Sequence, residues 1–160
     1  MIELGAYFLS GGLWITPRIW NSNLNKLSKC MMLLDTGASM TTIDVSVANR
    51  AGISTIGAEP ITVRGADSRI SGHLATVKEI WLGDLNLGAV AVHVIRFSPE
   101  SEVQAVLGMN VLKEFRVTID LIVKPADNDG TVYLSPTYEI AEISTVDTFN
   151  VNTSRFGRWG

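Results

Sequence analysis

Short apolar or alternating stretches, each cut off by Gly, Asn, Asp or Pro, recur along the chain. Such punctuation marks many short strands, because turn residues interrupt runs that alternate between a buried and a wet face. Strands are predicted over 13–19, 30–34, 61–64, 74–82, 87–97, 117–123 and 131–134. In 87–97, Val90, Val92 and Val94 share one face, as do Val117, Ile119, Leu121 and Val123 in 117–123, so both strands are expected to be half buried. Helical periodicity is brief. Asp44 is placed to cap a helix over Val45–Ala51 that Gly52 stops, and Asn110 to cap a second helix that turns Leu112 and Phe115 inward. Gly83-Asp84-Leu85-Asn86 reads as a hairpin turn and Pro99-Glu100-Ser101-Glu102 as a polar surface loop. No solenoid repeat interrupts this pattern, and the expected class is mainly β.

Composition narrows the picture without changing it. With 160 residues, 46% hydrophobic and 18% charged, the chain can build one ordinary core. The net charge of −3, with Lys and Arg scattered, offers no field for a nucleic-acid backbone. Cys30 is the sole cysteine and lies in the apolar run Cys30-Met31-Met32-Leu33-Leu34, so it reads as a small buried hydrophobe and excludes an intrachain disulfide. Near the N-terminus, Glu3 and the closely following Pro17 and Arg18 argue against a signal peptide. No apolar run approaches the roughly 20 residues of a membrane-spanning helix. The expected setting is cytoplasmic, without membrane or nucleic-acid partners, and the sequon Asn152-Thr153-Ser154 is taken as chance. From about Tyr138 the composition shifts to Ser, Thr, Asn and Gly. Residues 1–137 are accordingly read as the folded domain and 138–160 as an extension, either a flexible tail or an edge strand through 140–146.

Directly behind the run 30–34 comes Asp35-Thr36-Gly37-Ala38. A strand end that delivers a carboxylate out of a core sequence is a costly place for a charge with no use, which makes Asp35 the first candidate for chemistry. Gly37 permits close approach of backbones, and Thr36 supplies a hydroxyl for a neighbouring loop. Further along, Val106-Leu107-Gly108 precedes a short helix. With Leu33-Leu34-Asp35-Thr36-Gly37-Ala38-Ser39, then Thr41 and Ile43, then Val106-Leu107-Gly108, the chain resembles the retropepsin-like aspartic proteases over about residues 13–134.

That resemblance implies a single-lobe, closed β-barrel with a flap hairpin and one or two short helices. Peptide hydrolysis by carboxylates needs two of them on one water, one ionised and one protonated. Only Asp35 is followed by Thr-Gly here; Asp44, Asp67, Asp84, Asp120, Asp127, Asp129 and Asp147 are not, and a second lobe does not fit in the length. A symmetric homodimer is therefore expected, each chain giving Asp35 to one site on the two-fold axis. The resemblance assigns Asp35, Thr36 and Gly37 to catalysis, with Thr36 gripping the opposite loop. Ala38, Ser39 and the flap tip Gly65-Ala66-Asp67 are assigned to the peptide or protein substrate. The flap would span 65–72, with Gly65 and Gly72 as its mobile ends. A silent peptide- or protein-binding module on the same dimer is the alternative.

Neither a cofactor nor a metal is expected: His73 and His93 have no companion ligands, no phosphate loop or nucleophile elbow occurs, and Trp14, Trp20 and Trp81 are read as core or interface. Two departures matter. Retroviral members carry an acid where this chain has Ser39 and an arginine where it has Met109; losing both partners of that ion pair strands no charge, so other contacts must hold the dimer. The tail or the apolar N-terminus could supply paired edge strands. Ala38, for its part, offers no hydroxyl to the ionised dyad, which implies activity reaching towards neutral pH. Ala38→Ser is expected to move the acid limb of a pH–rate profile to lower pH; an unmoved profile would refute this account.

Overall fold

Residues 1–64, 68–121 and 129–137 are described by the computed structural model of the chain. Fourteen strands and two short helices form among them. The flap tip 65–67, the end of the predicted strand 117–123 and everything from Tyr138 on, including the sequon and the 140–146 strand, lie outside the described residues.

The N-terminal apolar residues, absent from the predicted strands and offered only as a possible paired edge, form β1 (Ile2–Leu9), which folds back onto β2 (Gly12–Ile15). Ser10 and Gly11, at φ 51° and 75°, make the two-residue turn, both central residues in the left-handed region as a type I′ hairpin requires. The predicted strand 13–19 is two strands. Pro17 has no N–H to give to a ladder, and the chain passes there from the large sheet into β3 (Arg18–Asn21) of a small one. The predicted strand 30–34 starts late: after β4 (Lys26–Lys29) the Cys30 N–H turns away to the Pro17 carbonyl at 2.8 Å, and β5 is only Met32–Leu34. Cys30 is buried, as read, and burial pushes its thiol up to about 11, against the pull of Arg50.

After β6 (Thr42–Asp44), helix α1 spans Val45–Ala51 as predicted, with the Asp44 carboxylate accepting from Ser46 N–H and Gly52 closing it at φ 67°. A hairpin follows, β7 (Glu59–Arg64) against β8 (Arg69–Val77), then β9 (Ile80–Leu82) and β10 (Leu85–Asn86), joined by a turn that begins at Gly83 with φ 60°. Next come β11 (Val90–Ile95), β12 (Ala105–Leu107), α2 (Met109–Leu112), β13 (Phe115–Asp120) and β14 (Asp129–Pro136).

The large sheet runs β13-β14-β1-β2-β5-β12-β6-β11-β8-β7 and the small one β10-β9-β3-β4. This order is open: β13 and β7 end the large sheet unpaired with each other, so the closed barrel is not what the described pairings form. Ile15, Met32, Ile43, Val77, Ile80, Leu82, Leu107 and Leu134 are wholly inaccessible and fill the core, together with Val90, Val92 and Val94 on the predicted face of β11. On β13 the prediction holds only in part. Val117 packs against the core, whereas Ile119 and Leu121 are 42% and 58% exposed, because the edge of the sheet extends past the core there. The N-terminal strand is not a free edge either, since β14 and β2 pair with both its sides.

Asp44 links three elements. One carboxylate oxygen accepts from Ser46 N–H and the other from Phe97 N–H, each at 2.8 Å. Partial burial disfavours its charge, but these bonds and nearby Arg96 outweigh that and hold its carboxyl below the usual carboxylate range. A depressed carboxyl contributes stability that is present above the unfolded value near 3.9 and is lost as pH falls through the folded one. Asp44→Ala is therefore expected to cost about 1–2 kcal/mol in urea unfolding at pH 7, with the difference from wild type shrinking below about pH 4. An undiminished difference at acid pH would refute the electrostatic origin.

Candidate active site

β5 and β12 lie parallel, Leu33 beside Val106 and Leu34 beside Leu107. The Asp35 N–H extends this ladder by one bond to the Leu107 carbonyl, 3.1 Å away, so the position of Asp35 is set by core pairing and not by its own turn. There the chain breaks from the sheet. Gly37 N–H donates to Asp35 Oδ1 at 2.8 Å, and Ala38 N–H to the Asp35 carbonyl at 3.3 Å. A Cβ on Gly37 would stand 3.1 Å from Asp35 Oδ1, so the glycine makes room for the carboxylate it binds. Asp35 and Ala38 are half-buried; Thr36, Gly37 and Ser39 form the exposed crest.

A seam of hydrogen bonds then fastens the loop to α2. Met109 N–H donates to the Ala38 carbonyl at 2.7 Å and Asn110 N–H to the Ser39 carbonyl at 3.0 Å. The two positions that lack the retroviral ion pair are thus adjacent, joined through backbone and not through charge. Between them Gly108 has no room for a side chain, its hypothetical Cβ falling 2.5 Å from the Met40 carbonyl carbon. Under the seam sit two buried polar residues. Asn110 Oδ1 accepts from Thr41 N–H at 2.7 Å and from Thr41 Oγ1 at 2.8 Å, Asn110 Nδ2 donates to the Ala91 carbonyl at 3.0 Å, and Thr41 Oγ1 accepts from Gly108 N–H at 3.2 Å. Asn110 is therefore no helix cap: Gly108 holds that position, and the asparagine points into the core at 2% exposure. Sequence reasoning missed this clamp, although an Asn two residues beyond Gly108 and a Thr six beyond Asp35 were visible.

Strand alternation carries Asp35 towards the sheet face that holds Leu33, and cross-strand register puts Tyr7, Trp14, Val106 and Thr42 on that face too. On β7 and β8 the same face carries Ile61, Val63, Ile70 and Leu74. Beside Asp35 it is largely apolar, with further carboxylates at a distance along the sheet, among them Glu3 on β1 and Glu59 on β7. His93 shares it, half-buried, with burial holding its imidazole below its usual value. The tryptophans divide: Trp14 is buried and donates to the Leu9 carbonyl, while Trp20 and Trp81 are half-buried under the cations of Lys78 and Arg18. Among the described residues no three His, Cys, Asp or Glu side chains gather as a metal site, and no helix is long and apolar enough to cross a membrane. Cavities of about 500 and 550 Å³ lie elsewhere, and Asp35 lines neither.

The family model described as aspartyl protease matches residues 20–111, from β3 through the clamp. Among solved structures the chain is similar to the crystal structure of a retropepsin-like aspartic protease from Rickettsia conorii, with a TM-score of 0.58 and 19% identity over 81% of this chain and 89% of that one. No curated protein matches the sequence.

The clamp's burial sets its worth. Removing the amide leaves Thr41 N–H, Thr41 Oγ1 and the Ala91 carbonyl without their partner, so Asn110→Ala is expected to destabilise by about 2–4 kcal/mol. Thr41→Val should cost about 1–3 kcal/mol, and the double variant less than the sum, since the partners are shared. Urea unfolding of the four proteins checks this; additive losses would refute the coupling.

Proposed function

The chain belongs to the aspartyl protease family, with a retropepsin-like fold, and from that premise we propose that it is an endopeptidase in which Asp35 of each of two copies shares one water. The observation that carries the reading is the carboxylate at the end of β5, fixed by Gly37 N–H and set in place by the bond of its own amide to Leu107. One such group cannot both accept a proton from water and give one to a carbonyl. Two held about 3 Å apart can, because like charges at that distance force them to share a proton. The ionised carboxylate then takes a proton from the water as its oxygen attacks the peptide carbonyl, while the protonated partner gives its proton to the carbonyl oxygen. As the C–N bond of the tetrahedral diol breaks, the protonated carboxyl gives its proton to the leaving amine and the ionised one takes a proton from a diol hydroxyl, so that the dyad again holds one.

Exposed apolar groups support the two-fold assembly. Tyr7 and Leu9 are 43% and 45% exposed on β1, and β13 ends the large sheet with Ile119 and Leu121 in the open. In this proposal Thr36 reaches across the axis, Ala38 and Ser39 border the bound peptide, and the β7–β8 hairpin covers it, with Gly65-Ala66-Asp67 at its tip. Gly72 is not the flexible end of that cover. It lies within β8, where its hypothetical Cβ would meet the Val94 carbonyl oxygen at 2.4 Å, so it serves close packing.

Asp35→Asn is expected to lower cleavage of a peptide library by about 10³-fold or more, with wild-type cleavage blocked by pepstatin. Sedimentation should give a dimer at micromolar concentration. Equal turnover by the two proteins, or cleavage by a monomer, would overturn the reading.

A further inference from the structure

The β7–β8 hairpin has a second face. Opposite the apolar Ile61, Val63, Ile70 and Leu74, three directly facing pairs climb it: Pro60 with His73, Thr62 with Ser71, and Arg64 with Arg69. All six are exposed. At the foot of this ladder a groove of about 550 Å³ opens between Val45, Val94, Arg96 and the first two pairs. Like charges placed directly opposite each other oppose strand pairing, so Arg64 and Arg69 are not there for the hairpin's own stability. Among the described residues neither they nor Arg96 make an ion pair. Of the acids nearby among the described residues, neither serves them: Glu59 lies on the other face, paired with Leu74, and both Asp44 oxygens are committed to Ser46 and Phe97 N–H, although its charge does feel Arg96.

Three arginines, a histidine and two hydroxyls on one strip of a chain with net charge −3 call for an anion. The spacing says which kind. Successive pairs on one face of a hairpin are about 7 Å apart, the same step that separates alternate side chains of an extended peptide. We infer that the outer face of β7–β8, with Arg96, docks a carboxylate-rich extended segment of the protein substrate, lying outside the stretch that reaches Asp35. The word substrate rests on the protease reading; the docking does not.

Binding is measured on full-length Asp35→Asn protein, so that nothing is cut, with a fluorescent Glu-rich peptide and its Gln-rich counterpart. The acidic probe is expected to bind, to weaken steeply with added salt, and to lose about tenfold or more in affinity in Arg64→Ser/Arg69→Ser and in Arg96→Ser, while the Gln-rich peptide binds far more weakly and ignores all three changes. Equal binding of the two peptides, no binding of either, or affinity indifferent to the arginines would overturn the inference. Arg69→Thr alone is expected to melt no lower than wild type; a clear drop would make the pair structural and also overturn it. If the acidic probe binds as expected but wild type cleaves nothing, docking stands and the protease reading falls. If wild type cleaves but the probe does not bind, the reverse holds.

Discussion

Two buried polar side chains hold the site in register with the core. Thr41 and Asn110 satisfy one another and tie the Asp35 loop, the Gly108 turn and β11 together in a place where any unpaired polar atom would be costly. Because the network is fully satisfied, it favours this arrangement of the loop over any that would leave one of these buried groups unpaired. Asp35 inherits that rigidity. Its amide is bound to Leu107, its carboxylate to Gly37, and the chain three residues on to Met109 and Asn110. A carboxylate on a mobile loop could turn to water and lose its purpose; here the surroundings leave it little freedom.

Much of this was legible from the sequence where local chemistry decides the outcome. Asp44 capping Val45–Ala51, Gly52 closing it and the valine face of β11 follow from rules that act within a few residues. The break at Pro17 and the late start of β5 after Cys30 were less visible, because the apolar pattern continues through both and only the transfer between sheets interrupts the pairing. β1 was passed over since Gly5 and Gly11-Gly12 weaken its pattern, yet pairing on both sides stabilises it regardless. The Asp35 loop was found by motif. Asn110 was assigned to a cap because Asn is a good one; what overrode that preference was a long-range partner, Thr41, which no local rule brings near.

The missing ion pair between the Ser39 and Met109 positions fits this arrangement. Where backbone bonds already join the two segments, a charge pair there would add desolvation cost for little further constraint. Holding the segments together within one chain is then separated from holding two chains together. In the proposed dimer the second task would fall to exposed apolar surface, to which β1, enclosed by β14 and β2, could contribute side chains but no free edge.

The hairpin β7–β8 brings these arguments together, because alternation gives one element two unlike faces. Its apolar side continues the surface that holds Asp35, which in the proposed protease would help exclude water from the proton transfer. Its other side is basic and wet. If the hairpin serves as the proposed cover, it needs to draw little stability from its own packing, and a pair of facing arginines near the tip is tolerable there in a way it would not be in β11 or β12. An anionic segment laid across Arg64 and Arg69 would remove their mutual repulsion and firm the hairpin at the moment a substrate is present. Recognition outside the cleft and closure over it would then be two consequences of one neutralised charge pair.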